Sequence, residues 1–216
     1  MPGQRAPEDA RRAQIVNAAY EVALRTGIAG VTLRAVGAEA GLSHGLLLFH
    51  FERKDELIGA LLDHVLATTA MLHLSGNPVS EEAVSEDLAP LAPGPGRLAA
   101  LLHRELERLA REPQGMRLFL EYWALGVRQA MIRRKIAAAL ERYRAAFRSL
   151  AEEMLRDDAA PSIGVTPEAI AAVAVSLING WAVQMMIDPR RFDTDAYLAA
   201  VQRLIGRIAP AAIEIP

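Results

Sequence analysis

Between Thr32 and Lys54 the chain gathers groups suited to holding a polar partner. They are the hydroxyls of Thr32 and Ser43, the imidazoles of His44 and His50, and the cations Arg34 and Lys54, with glycine at 37, 41 and 45. One catalytic pattern lies in the same run. Gly41-Leu42-Ser43-His44-Gly45 fits G-x-S-x-G, the nucleophile elbow of serine hydrolases. That elbow needs a buried strand before the serine, whereas residues 32–40 read as a helix. Metal chemistry is thinly supported. The chain has no cysteine, His64 and His73 sit on one helix with His103 and Glu107 on another, and no two histidines stand four apart. Gly94-Pro95-Gly96 lies in a polar connection and does not resemble a phosphate cradle. Neither an enzyme nor a cofactor is expected.

The elements that would position Thr32 to Lys54 are helices. Thr32 can N-cap a helix over Leu33 to Ala40, stopped by Gly41, and Ser43 can N-cap a short one from His44 to His50. This is the geometry of a helix-turn-helix. Gly37 is the small residue where the helices touch, Gly41 makes the turn, and Leu47 anchors the second helix. Val36, Ala40 and Leu42 fill the interface. His44, Gly45, Leu46, Leu48 and Phe49 are left on the side that can enter a major groove. Lys54 begins a further helix, and a helix N-terminus with a lysine is a ready anion site.

The rest of the 216 residues is all-α by periodicity. Helices are expected over about Glu8 to Arg25, with Gly27 at its C-terminal end, and from Lys54 to about Leu74. Others follow over about Arg97 to Arg111, Gln114 to Val127, Gln129 to Arg156, Pro167 to Ile187 and Thr194 to Ile208. Ser75 to Gly96 is rich in proline, glycine and acid and reads as a long mobile connection. The expected domains are 1–54, carrying the helix-turn-helix, and a larger helical domain, 55–216, with 75–96 as its loop.

Apolar residues make up 52% of the chain, enough for a packed core. The net charge is −2, and the first 58 residues balance seven basic against seven acidic side chains. Affinity for a polyanion must therefore come from local placement of charge. The basic cluster Arg128, Arg133, Arg134 and Lys135 reads as a solvated helix face. The N-terminus has no apolar segment of the signal-peptide kind. With no cysteine, the expected compartment is the cytoplasm. Ala169 to Ile187 runs nineteen residues without a charge, long enough to span a bilayer. It includes Ser176, Asn179, Gly180 and Gln184, however, and reads as a helix covered by protein rather than a membrane span.

From Arg12 to about Leu61 the chain resembles the DNA-binding domain of the TetR (tetracycline-repressor-like) family. The matching residues include Ile15, Ala18, Ala19, Gly27, Val31 to Arg34, Val36, Ala40 to Ser43, Gly45, Leu47, His50, Phe51, Lys54 and Leu57. The resemblance implies a homodimer on a palindromic DNA operator. Thr32 and Arg34 would touch phosphate. Ser43, His44, Gly45 and Leu46 would lie at base edges or phosphates, followed by Leu48, Phe49 and His50, with Lys54 on phosphate. Two departures stand out. Leu48 occupies a position usually held by Tyr, trading a hydroxyl for contact with a thymine methyl. Gly37 replaces the usual Ala at a cost of about 1 kcal/mol in helix stability.

For the C-terminal half the resemblance implies dimerisation and sensing of a small apolar effector. The uncharged helix needs a partner, and Ala171, Ala174, Val175, Ile178 and Ala182 with Tyr197, Val201 and Leu204 are the expected dimer contacts. The expected effector pocket draws on Met116, Phe119, Tyr122, Trp123, Phe147 and Trp181, with His103, Tyr143, Asn179 and Gln184 as its polar groups. Repression relieved by effector is the implied mode of regulation. The alternative is a helical protein-interaction module of the same ancestry that no longer binds DNA.

Overall fold

The computed structural model describes residues 8–68, 95–111, 113–155 and 164–208. All regular structure among them is helical. The helices are α1 (Glu8–Thr26), a 3-10 turn (Ile28–Gly30), α2 (Leu33–Ala40), α3 (His44–His50), α4 (Lys54–Thr68), α5 (Pro95–Arg111), α6 (Pro113–Gly126), α7 (Ala130–Leu155), α8 (Pro167–Ile187) and α9 (Thr194–Ile208). Most of the expected connection from Ser75 to Gly96 lies outside the described residues, as does His73; Pro95 and Gly96 open α5.

Local chemistry sets the boundaries. Thr32 Oγ1 accepts from the Ala35 amide at 3.1 Å, and Ser43 Oγ from the Leu46 amide at 3.3 Å. Each satisfies an amide that the helix start leaves unpaired. Thr166 does the same for α8 at 3.2 Å, with Pro167 in the first turn. Gly41 closes α2 in the left-handed region at φ 65°, where a side chain is disfavoured.

The chain divides into two compact units, Met1–Thr69 with Gln114–Ala137, and Ala70–Pro113 with Ala138–Pro216. The first differs from the expected division at residue 54, because α6 and the start of α7 are bonded to the N-terminal helices. The buried Tyr122 hydroxyl donates to the Ile58 carbonyl at 2.8 Å, and Arg117 donates to the Leu24 carbonyl at 2.5 Å. Glu121 accepts from the Ile28 amide at 2.6 Å. Burial and the neighbouring Asp63 and Glu121 charges push the Tyr122 hydroxyl far above its ordinary pKa, so it stays a neutral donor. Gly27 is favoured by its φ of 72°, and a Cβ there would sit 2.9 Å from the Glu121 carboxylate, which would have to shift. Ile15, Ala19, Val36, Leu47, Phe51, Leu57 and Leu61 fill the core of this unit with no exposure.

In the second unit α5 packs on α8 and α9. Its interior holds Leu101, Tyr143, Phe147, Ile178 and Trp181. Glu105 is buried there too, bonded to Arg108 at 2.6 Å and to the Tyr143 hydroxyl at 3.4 Å. Burial pushes the Glu105 carboxyl above its ordinary pKa, against the pull of Arg108.

Candidate nucleic-acid interface

The helix-turn-helix is built around α3. Leu47 and Phe51 are fully buried and pin one side of it. Positions 44, 45, 48 and 49 share the opposite side by helical spacing, and all four are exposed. Leu48 is 38% and Phe49 73% exposed. Leu46 and His50 are half-buried at the margins. Gly37 sits where α2 meets this assembly: a Cβ there would lie 3.2 Å from the Leu42 carbonyl oxygen and 3.3 Å from Leu47. The contact is tighter than most, which explains a residue smaller than the alanine usual at that position. Gly45 is the opposite case, since a Cβ there would meet nothing within 4 Å. Its lack of a side chain answers no need of the protein's own packing.

Thr32, Arg34, Ser43 and Lys54 are all exposed around α3. The caps use lone pairs of Thr32 and Ser43, which leaves both hydroxyl protons free to donate outward. Ser43 therefore stands in a helix-to-helix turn as a cap. The element directly before it is the helix α2 rather than a strand, and the elbow geometry of a hydrolase is not formed. His103 lies 3.2 Å from Glu107, and His64 stacks edge-on against Tyr20 at 4.9 Å. Among the described residues no three potential metal ligands cluster.

Three residues of α1 make contacts that escape the sequence reading. Arg12 donates to the His50 carbonyl at 2.8 Å, stands 4.1 Å over the Phe51 ring and pairs with Glu56 at 3.3 Å. Gln14 donates to the Ala40 carbonyl at 3.0 Å, and Arg25 pairs with Glu39. The first helix thus satisfies carbonyls that α2 and α3 leave open at their C-terminal ends. Arg12 also places positive charge at the negative end of the α3 dipole. Arg12 stands three, four and seven residues before the buried Ile15, Val16 and Ala19, on the same helix face.

The expected effector residues divide between the units. Met116, Phe119 and Tyr122 are buried in the first, with Trp123 half-buried beside Phe119. His103, Tyr143, Phe147, Asn179, Trp181 and Gln184 belong to the second. Asn179 Oδ1 and His103 Nδ1 are buried without a hydrogen-bond partner. Trp181 Nε1 donates to Thr194 at 3.3 Å, and Gln184 is exposed.

The expected dimer contacts need correction. Ala171, Ala174, Val175, Ile178 and Ala182 are buried inside their own unit, as is Val201. Tyr197 is half-buried with its hydroxyl bonded to the Leu177 carbonyl at 2.7 Å. Leu204 alone of that set is strongly exposed. The face of α8 turned outward is the opposite one: Ala172, Val173, Ser176, Val183 and Ile187. Val173 is 57% and Ile187 81% exposed. Gly180 lies on this stripe, with nothing within 4 Å of where a Cβ would be. Among the described residues α8 is the one helix long and apolar enough to cross a membrane, and its inner side is part of the core of its unit.

Comparison with known proteins completes the picture. A family model described as bacterial regulatory proteins of the tetR family matches residues 15–61. A second, the C-terminal part of BetI-type transcriptional repressors, matches residues 95–210, more than half of the chain. An HTH-type transcriptional repressor of Mycobacterium tuberculosis is 39% identical over 62 residues, 28% of this chain and 33% of its own length. The match thus spans about a third of that relative and of two further mycobacterial regulators. An HTH-type regulator of Xanthobacter autotrophicus is 27% identical over 191 residues, 87% of this chain and 85% of that one. The structure of a transcriptional regulator from Saccharomonospora viridis in complex with choline superposes with a TM-score of 0.71. It covers 93% of this chain and 98% of its own at 16% identity, a likeness of fold alone. With its helix-turn-helix and most of its C-terminal half matched by models of one family, the chain belongs to the TetR family of bacterial regulatory proteins.

Proposed function

We propose that this chain is a cytoplasmic, homodimeric, sequence-specific DNA-binding regulator, a repressor released by a small apolar effector. The observation that carries the reading is the split face of α3. Leu47 and Phe51 hold one side, while His44, Gly45, Leu48 and Phe49 are free on the other, flanked by exposed Thr32, Arg34, Ser43 and Lys54. In this reading the hydroxyls and cations fix the helix on phosphates, and the side chains of α3 read base edges. Dimerisation follows from α8, whose outward stripe with Leu204 of α9 offers an uncharged surface for a second copy.

The BetI-type model spans residues of both units, and the effector is assigned to the second because the unpaired buried polar atoms of His103 and Asn179 lie there. His103, Tyr143, Phe147, Asn179 and Trp181 carry that part of the proposal, and Gln184 moves to the dimer stripe. The unpaired Asn179 oxygen asks for a ligand with a hydrogen-bond donor among its apolar groups. The choline held by the Saccharomonospora viridis regulator, with one hydroxyl and a methyl-clad cation, illustrates that class. Effector binding would favour a dimer whose recognition helices no longer match successive grooves about 34–36 Å apart. It must bind that state more tightly than the DNA-competent one.

Fluorescence anisotropy on DNA flanking the gene, against excess random duplex at fixed near-physiological salt, tests the reading. Specific binding is expected, and Arg34→Ala or Lys54→Ala should each weaken it while reducing the salt slope by about 2, one phosphate contact per subunit of the dimer. No preferred duplex, even after selection from random DNA, would transfer the exposed apolar face of α3 to a protein partner.

A further inference from the structure

We propose that the operator is read chiefly through thymine C5 methyl groups, by the Leu48 and Phe49 side chains of α3. The inference rests on the DNA-binding reading above and specifies what that helix recognises.

The exposed face of α3 is short of hydrogen-bonding side chains. Of its four residues only His44 carries donors or acceptors beyond the backbone. Leu48 and Phe49 supply its large side chains, and both are apolar. In the major groove every base edge offers donors or acceptors, and thymine alone adds an apolar group, the C5 methyl. Leucine or phenylalanine pressed on a cytosine amino group or a guanine carbonyl leaves that group without its water. The same side chain on a methyl removes apolar surface from water on both sides. The face therefore selects twice, by attraction to thymine and by rejection of polar edges.

Two further features of α3 suit this role. Apolar contact needs heavy atoms within about 4.5 Å, so the helix must come close to the groove floor. Gly45, one turn before Phe49 on the same face and clear of all protein atoms within 4 Å of a Cβ, removes the side chain that would hold it off. The Phe49 ring meets the His50 ring edge-on, centroids 5.1 Å apart at 89°, which limits its freedom before DNA arrives. Arg12 bonds the His50 carbonyl and steadies the same end of the helix.

Deoxyuridine differs from thymidine only in lacking the methyl, so it isolates the contact. The tightest duplex selected from random DNA by the full-length protein would be resynthesised with deoxyuridine replacing each thymidine in turn. At one or more thymines in each half-site, affinity should fall about 4-fold per methyl contacted. The difference between thymidine and deoxyuridine should vanish in Leu48→Ala or Phe49→Ala, both surface changes, with circular dichroism confirming the fold. A specific duplex indifferent to deoxyuridine at every position would overturn the inference and leave the regulator intact. Failure to select any specific duplex would overturn the regulator reading and this inference with it.

Discussion

Among the described residues two apolar helix faces, on α3 and on α8, lie open to solvent, and they differ in what surrounds them. On α3 the exposed Leu48 and Phe49 occupy a seven-residue helix. Exposed hydroxyls and cations stand near them in the chain, at Thr32, Arg34, Ser43, Arg53 and Lys54, with the carboxylates of Glu52 and Asp55 among them. On α8 the exposed stripe runs the length of a 21-residue helix, and no charge occurs from Ala169 to Ile187. A small apolar patch with donors and cations near it suits a surface whose rim is anionic and whose floor carries scattered methyls. A long stripe without charge suits another stripe like itself. Exposure alone does not distinguish these roles; the chemistry of the border does.

The strongest way to break this contrast is to put charge on the longer face. Val173→Asp would set a carboxylate against its symmetry mate, or against apolar surface, in the proposed dimer. Like charges so placed cost several kcal/mol. Light scattering should then report a monomer. Operator affinity should fall by about 100-fold or more, since joining two reading heads is worth about 10²–10⁴. Val173→Leu should stay dimeric. A variant Val173→Asp that remains a tight dimer would put the interface elsewhere and remove the distinction between the two faces.

A middle-sized effect is expected at Arg12, which supports the shorter face from behind. Arg12→Met keeps the stem but loses the bond to the His50 carbonyl and the stacking on Phe51. The pair with Glu56 is half-exposed and adds little. A charged hydrogen bond is worth about 1.5–3 kcal/mol, so the melting temperature should drop and operator affinity fall about 10-fold as α3 loosens. The decisive readout is the slope of log K against log salt. An unchanged slope marks Arg12 as a positioning residue. A slope lower by about 2, one contact per subunit, would make it a phosphate contact.

These contrasts also explain what the sequence could and could not reveal. The starts of α2, α3 and α8 were legible because Thr32, Ser43 and Thr166 cap their own chain three residues on, and Gly41 must be glycine for its own backbone angle. The anchoring of α3 by Leu47 was legible from spacing. The inward side of α8 was not. A helix apolar on all sides carries no direction in its periodicity, and the residues expected to meet a second copy are buried at home. The aromatic set was divided for a similar reason: composition marks Phe119 and Phe147 as interior without saying whose interior. Arg12 and Glu121 act across separations of 38 and 93 residues, which no local pattern encodes.

The smallest and most discriminating change is Gly45→Ala. Glycine inside a helix costs about 1 kcal/mol relative to alanine, and a methyl at position 45 would touch no atom of the protein. Taken alone, the protein should gain up to about 1 kcal/mol in stability, visible as a higher melting temperature. On DNA the same methyl stands between α3 and the groove floor and holds Leu48 and Phe49 away from the bases. Specific affinity should fall several-fold while the salt slope and random-duplex binding stay nearly constant, because the phosphate contacts lie at the flanks. Stability and affinity moving in opposite directions would place the reason for this glycine outside the protein, on the surface that α3 approaches. If both rise together, Gly45 does not face DNA, and the short face loses the close approach on which methyl reading depends.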